Sequence, residues 1–426
     1  MTQGQKLTTT PGPRCGSGGS TDPELVVALR EAIDAAVANL RGDDTAPGGR
    51  VDPPADLAFV FVSATYGSAI RPVFELLGDL VPARHVLGAT AEGIVAGGQE
   101  HESGPAVAVW LASLPGGWIE PLSLDYTQTP DGGMFAGWPE GLTGDWPTNA
   151  TLILVADPFS FPVDAFVRRL EEEHPGVPIV GGMASGGNVP GSNTLAAGSR
   201  TYDSGAIGVV VGGGVRVRPV VSQGCRPVGR PMVITRSEEN MIVELGGRPA
   251  FERLRETFQE LDAVDRELVR TSLHVGRAAS EYRDTFRRGD FLVRNVLGAD
   301  PDSGVIAVGD LVRTGQTVQF HVRDAGSADE DLRELLCGTP SAAEPAGALI
   351  FTCNGRGSRL FAQPHHDARC LQDCLGPLPA AGFFAQGEIG PIGSRTFLHG
   401  FTASLALFER ARVDVADTIA PSLPSP

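Results

Sequence analysis

The sequence predicts an α/β protein whose mixed sheets are built from repeated strand–helix–strand units. In each unit a short apolar run is followed by a segment with helical spacing and then by a second short apolar run. This order occurs three times, with first strands predicted at 57–62, 151–155 and 348–353. The pattern G-x-x-A-x-G follows the second strand of every unit, at 88–93, 181–186 and 382–387. The shared order indicates an internal repeat, with the three glycine patterns expected in equivalent turns.

The alternative to a repeat is coincidence, because glycine-rich α/β chains produce such patterns by chance. The same six-residue pattern also occurs at 93–98 and 304–309, where the preceding elements differ. The weight of the prediction therefore lies in the order of elements around each pattern.

The chain begins with residues that predict little regular structure. Residues 1–21 are rich in Gly, Thr, Ser and Pro, a composition typical of disordered segments. Asp22 and Pro23 resemble the N-cap and first position of a helix, and apolar residues follow at helical spacing. A linker rich in Pro, Gly and Asp comes next, at 42–56. Residues 1–55 are therefore expected to form a disordered leader plus one amphipathic helix.

Two domains are predicted after this leader, a first at 56–214 and a second at 215–412, with a flexible tail at 413–426. The boundary is placed at a run of three glycines, which favours a flexible connection. The first domain holds two of the repeated units, with helices expected at 69–80 and 163–173.

The second domain opens with a segment that lacks the strand–helix–strand order. Apolar runs on both sides of 237–240 predict a hairpin, and 249–261 predicts a helix. Further strands are predicted at 291–296, 305–308 and 317–322, and a further helix at 328–337. Consecutive short strands favour antiparallel pairing, so this part of the second domain is expected to be rich in antiparallel strands.

Composition and charge exclude some classes of partner. The chain has 426 residues with 51 Asp and Glu against 34 Lys and Arg, giving a net charge of −17. Nucleic-acid binding depends on clustered Lys and Arg, so no nucleic-acid partner is expected. No apolar run approaches the ~20 residues of a membrane helix, and no signal-peptide pattern opens the chain. A cytoplasmic protein without a membrane partner is expected.

The six cysteines predict neither a disulfide scaffold nor a metal site. They stand at 15, 225, 337, 353, 370 and 374, without the spacing of small secreted domains, so reduced thiols are expected. His366, Cys370 and Cys374 could share one helix face, and their side chains suit zinc. Along a helix, however, the outer two lie about 12 Å apart, too far for one ion. Packing is the preferred interpretation, and no metal is predicted.

The third unit carries the richest set of candidate functional residues. Its first strand runs into Asn354-Gly-Arg-Gly357, where glycines permit a tight turn. Backbone N–H groups of such a turn can hold an anion, and the Arg356 guanidinium could pair with a carboxylate. Neither a G-x-G-x-x-G fingerprint nor a P-loop is present, so NAD and ATP are not indicated and no cofactor is predicted. The alternative for Arg356 is an ordinary surface arginine.

A ligand site is predicted at the carboxyl ends of these strands, the edge that ligands of α/β sheets favour. Asn354 and Arg356 follow one strand, Glu388 follows the turn after the next, and His366 begins the helix between them. Arg356 could pair with a carboxylate and Glu388 with an amino group, so a zwitterion would satisfy the set. Alternatively, these groups only hydrogen-bond to neighbouring turns.

Cys353, His366 and Asp367 suggest a competing class, an enzyme with a thiolate nucleophile and an imidazole base. A cysteine that ends a buried strand is usually a small apolar residue, and adjacent helical residues do not face each other. No nucleophile-elbow pattern is present either. No catalytic residue is assigned, and Cys353 is expected to be buried and unreactive.

Several stretches resemble the FIST family. Those similar to its C-terminal part are CNGRG at 353–357, HHDA at 365–368, GFFAQGEIGPIG at 382–393 and FLHGFTASLALF at 397–408. Those similar to its N-terminal part are VLGATAEGI at 86–94 and VGGMASGG at 180–187. Two further stretches, GCRPVG at 224–229 and FLVRNVLGAD at 291–300, are similar to the region that joins the two parts of the family. The resemblance covers roughly 56–409, nearly the whole predicted fold.

The resemblance implies an intracellular sensory module in signal transduction, which binds a small ligand such as an amino acid and acts on a downstream signalling protein. The candidate ligand-binding set combines the strand-end residues with others in these motifs: Asn354, Arg356, His366, Asp367, Glu388, Gly387, Thr90, Glu92 and Ser185. Two alternatives stay open: a small-molecule enzyme that uses the region of Cys353 and His366, and a scaffold that binds another protein through its acidic surface.

Overall fold

The computed structural model describes residues 11–42, 54–130, 132–282, 285–338 and 344–411. The strands are β1 Arg14–Ser20, β2 Ala55–Ser63, β3 Ala83–Ala91, β4 Ile94–Ala96, β5 Gln99–His101, β6 Val107–Ser113, β7 Gly117–Thr129, β8 Gly132–Ala136, β9 Thr151–Ala156, β10 Ile179–Met183, β11 Leu195–Ala197, β12 Arg200–Tyr202, β13 Ala206–Gly213, β14 Val215–Gln223, β15 Cys225–Glu238, β16 Met241–Leu245, β17 Arg248–Pro249, β18 Leu273–Ala278, β19 Phe291–Ala299, β20 Ile306–Val308, β21 Thr317–Arg323, β22 Gly347–Cys353, β23 Ala380–Ala385, β24 Glu388–Ile392, β25 Arg395–His399 and β26 Thr402–Arg410. The helices are α1 Leu25–Arg41, α2 Ile70–Phe74, α3 Leu77–Leu80, α4 Val163–Glu173, α5 Ala250–Glu260, α6 Ala263–Ser272, α7 Ala325–Cys337 and α8 His366–Leu375. Short 3-10 helices lie at Ala64–Ala69, Glu140–Leu142 and Gly357–Arg359.

Three units share one order of elements: unit 1 runs from β2 to β6, unit 2 from β9 to β13 and unit 3 from β22 to β26. In each unit the first two strands are parallel neighbours joined through a helical segment. A hairpin follows, and the last strand returns antiparallel beside the first. A helical crossover gives parallel neighbours and a direct return gives antiparallel ones, so each sheet is mixed. The predicted repeat of strand–helix–strand units is confirmed.

The glycine patterns occupy equivalent places, but their first glycines are not turn residues. Gly88, Gly181 and Gly382 lie inside β3, β10 and β23, and only the last glycine of each pattern reaches the bend that follows. A Cβ at Gly181 or Gly382 would lie 1.9 or 1.8 Å from the carbonyl oxygen of the parallel strand beside it. In units 2 and 3 the first glycine therefore marks a close approach of two backbones within the sheet, which glycine alone permits.

The hairpins exchange between units and join the three sheets around one core. The hairpin strand β4 of unit 1 pairs with β23 of unit 3, β11 of unit 2 pairs with β3 of unit 1, and β24 of unit 3 pairs with β10 of unit 2. Aromatic rings from two units meet inside: Phe61 lies 5.1 Å from Phe383 and 6.4 Å from Phe351 between ring centres. Each unit thus depends on its neighbours for a sheet edge and for a core.

Each sheet also gains a strand that precedes its unit, namely β1, β7 or β14, which pairs antiparallel with the last strand of that unit. The disorder expected for 1–21 is therefore wrong at Arg14–Ser20, where the small residues of β1 lie against α1. A Cβ at Gly16 or Gly18 would lie 2.2 Å from a carbonyl oxygen of that helix, so the glycines serve close packing. Residues 1–10 of the predicted leader, most of the predicted linker at 42–56 and the predicted tail at 413–426 lie outside the described residues.

The helices follow the apolar spacing, with one exception. In α4 the residues Val163, Phe166 and Leu170 recur at helical spacing and are buried. The single helix predicted at 69–80 is wrong, since a 3-10 turn, α2 and α3 replace it. Gly67, inside that turn, has φ 56°, which a regular helix does not allow.

Between β14 and β22 the chain forms an antiparallel barrel. Its strands pair in the order β15-β21-β18-β19-β20-β16, and an additional pairing of β15 with β16 closes the ring. The antiparallel segment predicted for the second domain is confirmed, and its predicted strands at 291–296, 305–308 and 317–322 correspond to β19, β20 and β21. Its buried core includes Val228, Val275, Ile306, Phe320 and Val322.

A disulfide joins the ends of two helices that the sequence did not place together. Cys337 ends α7 and Cys374 lies in the last turn of α8, with Cα atoms 4.9 Å apart and a sequence separation of 37. The expectation of reduced thiols is therefore wrong for this pair. The two helices lie side by side, a tertiary contact that cysteine spacing does not reveal.

Candidate functional site

The carboxyl end of β22 lies where unit 3 meets the barrel. Cys353 ends the strand, and the turn that follows runs through Asn354 and Arg356 towards α8. Gly224, between β14 and the barrel strand β15, donates its N–H to the Phe401 carbonyl at 2.8 Å. A Cβ at Gly224 would lie 2.4 Å from that oxygen and 3.2 Å from Arg356 Nη1, so only glycine permits this approach. The start of the barrel thus lies against the turn after β22.

Arg356 and Asp367 form a completely buried, bidentate ion pair. Arg356 Nε donates to Asp367 Oδ2 and Nη2 to Oδ1, both at 2.7 Å, and Arg356 is 0 % exposed. Thr352 adds a hydroxyl hydrogen bond of 2.6 Å to Oδ2. Burial alone would raise the pKa of Asp367, but the guanidinium and these hydrogen bonds hold it well below its usual range. Asp367 is therefore a fixed anion that orients Arg356.

His366 contacts the Asp367 side of this ion pair. Its Nδ1 lies 2.9 Å from Asp367 Oδ1, and its Nε2 lies 2.9 Å from Asp329 Oδ1 of α7. The imidazole also stacks on Phe361, with ring centres 3.4 Å apart. Both ring nitrogens are engaged by carboxylates, so the structure places His366 and Asp367 as groups that position Arg356.

Glu388 begins β24 and is completely buried. Its Oε2 accepts the backbone N–H of Thr402 at 3.0 Å and the Thr402 hydroxyl at 2.8 Å. Burial raises the pKa of Glu388 to about 8, although Thr402, the Cys353 thiol and Arg356 act in the opposite direction. The carboxyl is therefore mostly protonated at neutral pH.

Arg323 is a component of this region that the sequence analysis missed. It ends β21 of the barrel, and a Cβ at Gly355 would lie 2.9 Å from its Nη2, so the guanidinium lies directly over the turn after β22. It also lies 5.8 Å from the centre of the Phe401 ring. Burial lowers the pKa of Arg323. Its one sequence signal was its position directly after the strand predicted at 317–322.

Buried polar atoms without a hydrogen-bond partner concentrate around this turn. Within the described ranges they include Arg323 Nε and Nη2, Arg356 Nη1, Asn354 Oδ1, Glu388 Oε1 and Gln223 Oε1. Gln223 is paired across the sheet with Thr402, which holds Glu388. Native proteins pair nearly all buried polar groups, so such a group of free donors and acceptors marks a candidate ligand site. We refer to Gln223, Arg323, Asn354, Arg356 and Glu388 as the strand-end site.

Two thiols border the strand-end site and are poor nucleophiles. Burial raises the pKa of both Cys353 and Cys225 to about 12. A thiol with such a pKa supplies almost no thiolate at neutral pH. The Cys353 sulfur accepts the Gly355 N–H at 3.4 Å, and no hydrogen bond to His366 is formed in the described structure. The geometry thus gives no support to a Cys353–His366 catalytic pair.

The predicted site residues of the first domain lie at a junction between units. Thr90 Oγ1 accepts the N–H of Thr194 at 2.9 Å. Ser185 donates its hydroxyl to the Phe384 carbonyl and accepts the N–H of Glu92. The Glu92 carboxylate pairs with Arg359. Glu92 thus contacts the segment that follows Arg356, whereas Thr90 and Ser185 hydrogen-bond to the main chain at Thr194 and Phe384.

The remaining predicted residue, Gly387, accepts the N–H of Met183 at 2.8 Å, and a Cβ there would lie 3.0 Å from Leu398.

Glu100 of the unit 1 hairpin was not predicted. Its Oε1 accepts the N–H of Ala368 in the first turn of α8, and burial followed by the nearby Asp367 raises its pKa to about 7. Hairpin exchange between units brings Glu100 there, so its sequence position carried no signal.

The described residues contain no group of three or more His, Cys, Asp or Glu arranged to hold a metal ion. None of the helices in the described ranges is long and apolar enough to span a membrane.

The fold and the strand-end site define a class, a mixed α/β protein whose second half combines a repeated unit with an inserted antiparallel barrel. Two family models match the chain, the FIST N domain over residues 56–248 and the FIST C domain over residues 250–391. The chain belongs to the FIST family. FIST domains are associated with sensory roles in signal transduction.

Curated relatives extend over nearly the whole chain. An uncharacterized protein of Mycobacterium tuberculosis strain H37Rv is 41% identical over 399 residues, 93% of this chain and 99% of that protein. An uncharacterized protein of Mycobacterium bovis is 40% identical over 398 residues, 93% of this chain and 98% of that protein. The shared architecture therefore includes both FIST domains.

Proposed function

We propose that the chain is a cytoplasmic sensory module that binds a small zwitterionic metabolite, such as an amino acid, at the strand-end site. The observation that carries the proposal is the convergence of free buried donors and acceptors from unit 3 and from the barrel. Unpaired buried groups cost about 1–3 kcal/mol each, and a ligand that pairs with them recovers that free energy on binding.

The chemistry of the free atoms fits a zwitterion. Arg323 Nε and Nη2 and Arg356 Nη1 are cationic donors, which suit a carboxylate. Asn354 Oδ1 and Glu388 Oε1 are acceptors when Glu388 is ionised, which suits an ammonium group. The donors come from the barrel and from the turn after β22, and the acceptors come from that turn and from β24.

The position of the site also supports a sensory role. Arg323 belongs to the barrel, whereas Arg356 belongs to unit 3, so a ligand bound to both would join two parts of the chain. A ligand with different affinity for two arrangements of these parts shifts their populations. The expected recipient of that change is a downstream signalling protein.

A thermal-shift screen tests the proposal. The probes are the twenty proteinogenic amino acids, each paired with the corresponding acid that lacks the amino group. Binding at about 100 times the Kd adds about 2.7 kcal/mol to the free energy of unfolding. A rise in melting temperature with one chemical class of amino acid is the expected result. No shift with any amino acid would contradict the proposal.

Variants localise the binding. Arg323→Gln removes a guanidinium with free donors, so the binding free energy should weaken by roughly 1.5–3 kcal/mol. The ligand-induced rise in melting temperature should shrink accordingly. Arg313→Gln is the matched control, because Arg313 lies on the surface of the same barrel segment. An unchanged response in Arg323→Gln would move the site elsewhere.

The same experiments separate the competing classes. An enzyme would consume the amino acid that it binds. A scaffold would respond to none of the amino acids and would co-purify with a protein partner.

Maleimide labelling of the native chain at pH 7 should leave Cys353 largely unmodified, because burial raises the pKa of its thiol to about 12. Rapid stoichiometric labelling at Cys353 would favour the enzyme.

A further inference from the structure

Glu388 is a buried carboxyl with one engaged and one free oxygen. Oε2 accepts two hydrogen bonds from Thr402, whereas Oε1 has no N–H or O–H donor in the described part of the chain, and the Cys353 thiol is a weak donor to the carboxyl. Glu388 is 0 % exposed and forms no ion pair with a described Lys, Arg or His. A buried carboxylate without a counterion is unfavourable, so the group retains a proton on the free oxygen.

The groups that surround Glu388 do not change this conclusion. On one side β10 presents Gly182, and on the other β25 presents His399. Burial lowers the pKa of His399 to about 4, and its Nε2 donates to the Gly390 carbonyl, so the imidazole is uncharged. From β22 the neighbour is the Cys353 thiol, which is protonated.

One cation acts on Glu388 from the adjacent turn, the Arg356 guanidinium. Two of its nitrogens are bound to Asp367, so its charge is largely matched before Glu388 is considered. Glu388 therefore forms no ion pair with a described cation, although the Arg323 guanidinium belongs to the same strand-end site.

We infer that the ammonium group of the ligand takes the place of the proton on the Glu388 carboxyl, so that ligand binding releases that proton to solvent. This inference rests on the proposed function. The exchange is balanced: a neutral carboxyl and an ammonium ion become a carboxylate–ammonium pair plus one free proton. An acid without an amino group leaves the carboxyl protonated and releases none.

The inference fixes the pH dependence of binding. Burial raises the pKa of Glu388 to about 8, so about nine-tenths of the carboxyl is protonated at pH 7. Binding an ammonium at that pH should release about 0.9 proton, and the affinity should fall about 50-fold between pH 8 and pH 6. The sensor would then respond more weakly in acidic conditions.

The test is titration calorimetry of the full chain at pH 7 in phosphate and in Tris, buffers that differ in ionisation enthalpy. The probe is the amino acid of the panel with the largest melting shift, and the control probe is the same acid without its amino group. For the amino acid, the apparent binding enthalpy should differ between the two buffers by about 0.9 times the difference in their ionisation enthalpies. For the control acid it should be the same in both buffers.

Two variants identify the carboxyl. Glu388→Gln should abolish the proton release and flatten the pH dependence. Glu100→Gln is the matched control, because Glu100 is another buried glutamate with a free oxygen and its second oxygen accepts the Ala368 N–H next to Asp367. It should leave the proton release intact. Proton release that survives in Glu388→Gln, or is lost only in Glu100→Gln, overturns the assignment.

A ligand-free measurement covers the case in which Glu388→Gln binds poorly. A carboxyl whose pKa is raised by folding stabilises the protein below its unfolded pKa, and that contribution is lost as pH rises through the folded pKa. The wild type should therefore lose stability relative to Glu388→Gln between about pH 4.5 and pH 8. Parallel stability curves would overturn the inference.

The two proposals fail in different ways. If no amino acid changes the melting temperature at pH 6 or at pH 8.5, the proposed function fails and the inference fails with it. If an amino acid binds with equal affinity at both pH values and releases no proton, only the inference is overturned.

Discussion

The strand ends of units 2 and 3 are topologically equivalent, but their polar groups are satisfied to different degrees. Asp157 directly follows β9, as Asn354 directly follows β22. Asp157 Oδ1 accepts a hydrogen bond from Asn193 at 2.9 Å, and Oδ2 accepts from Ser160 at 2.7 Å and from the N–H of Phe159 at 3.1 Å. Asn354 Oδ1 is buried and has no partner among the described residues.

The difference arises from the barrel, which is inserted between β14 and β22. Arg323 and Gly224 reach the strand end of unit 3 from this insertion. Unit 2 closes its strand end with its own side chains. The comparison teaches that the repeat supplies a scaffold, and that free polar groups accumulate where an insertion breaks the equivalence.

The largest expected effect comes from the buried ion pair at the strand end of unit 3. Arg356→Ala leaves Asp367 without its counterion, and the free energy of unfolding should fall by about 3–5 kcal/mol. Asn193→Ala is the unit 2 counterpart; it removes a hydrogen bond to the Asp157 carboxylate, worth about 1.5–3 kcal/mol, and one from the Gly187 N–H, worth about 0.5–1.5 kcal/mol. Urea unfolding measures both. Equal losses would mean that the two strand ends are stabilised alike.

A second effect concerns the helix of unit 3. The Cys337–Cys374 disulfide ties α8 to α7, whereas unit 2 contains no cysteine. Cys337→Ser should lower the free energy of unfolding by about 3–4 kcal/mol, since the disulfide closes a loop of 37 residues. Dithiothreitol should destabilise the wild type to the same extent and leave Cys337→Ser unchanged. A wild type that melts identically with and without reductant would contradict this prediction.

The smallest expected effect separates binding from stability. Asn354→Ala should cost less than about 1 kcal/mol of stability, because its side-chain oxygen has no partner to lose, and it should weaken the response to amino acids. Ser160→Ala in unit 2 should do the reverse, since its hydroxyl bonds to Asp157 and Gly205. Its expected cost is about 1–2 kcal/mol, with the ligand response intact. Matching responses in the two variants would remove the distinction between the strand ends.

Much of the fold could be predicted because it depends on local spacing. Apolar runs such as 151–155 and helical spacing such as that of 163–173 reproduce β9 and α4 closely. The pairing of hairpins between units could not be predicted, because contacts such as that of Ala96 in β4 with Ala381 in β23 join residues far apart in sequence and leave no local pattern. Arg14–Ser20 was missed for a related reason, since glycines that suggest disorder there permit close packing on α1.

The candidate site divides in the same way. The rule that ligands favour the carboxyl ends of strands placed Asn354, Arg356 and Glu388 near one another from sequence alone. His366 and Asp367 were named as ligand-binding candidates; in the structure Asp367 binds Arg356 and His366 binds Asp367, an arrangement that depends on how helix α8 packs. Sequence position gave their proximity and could not give their orientation.

By itself the sequence determined three strand–helix–strand units, an antiparallel insertion and a set of polar residues at one strand end, because periodicity and strand-end position are properties of short stretches of chain. Only the tertiary structure decided that Arg323 joins that region, that Glu100 reaches helix α8, that Cys337 bonds to Cys374, and that burial raises the pKa of Glu388. These features depend on residues far apart in sequence, because such residues bury a side chain and supply its hydrogen-bonding or bonding partners. They come together only when the sheets and the barrel pack.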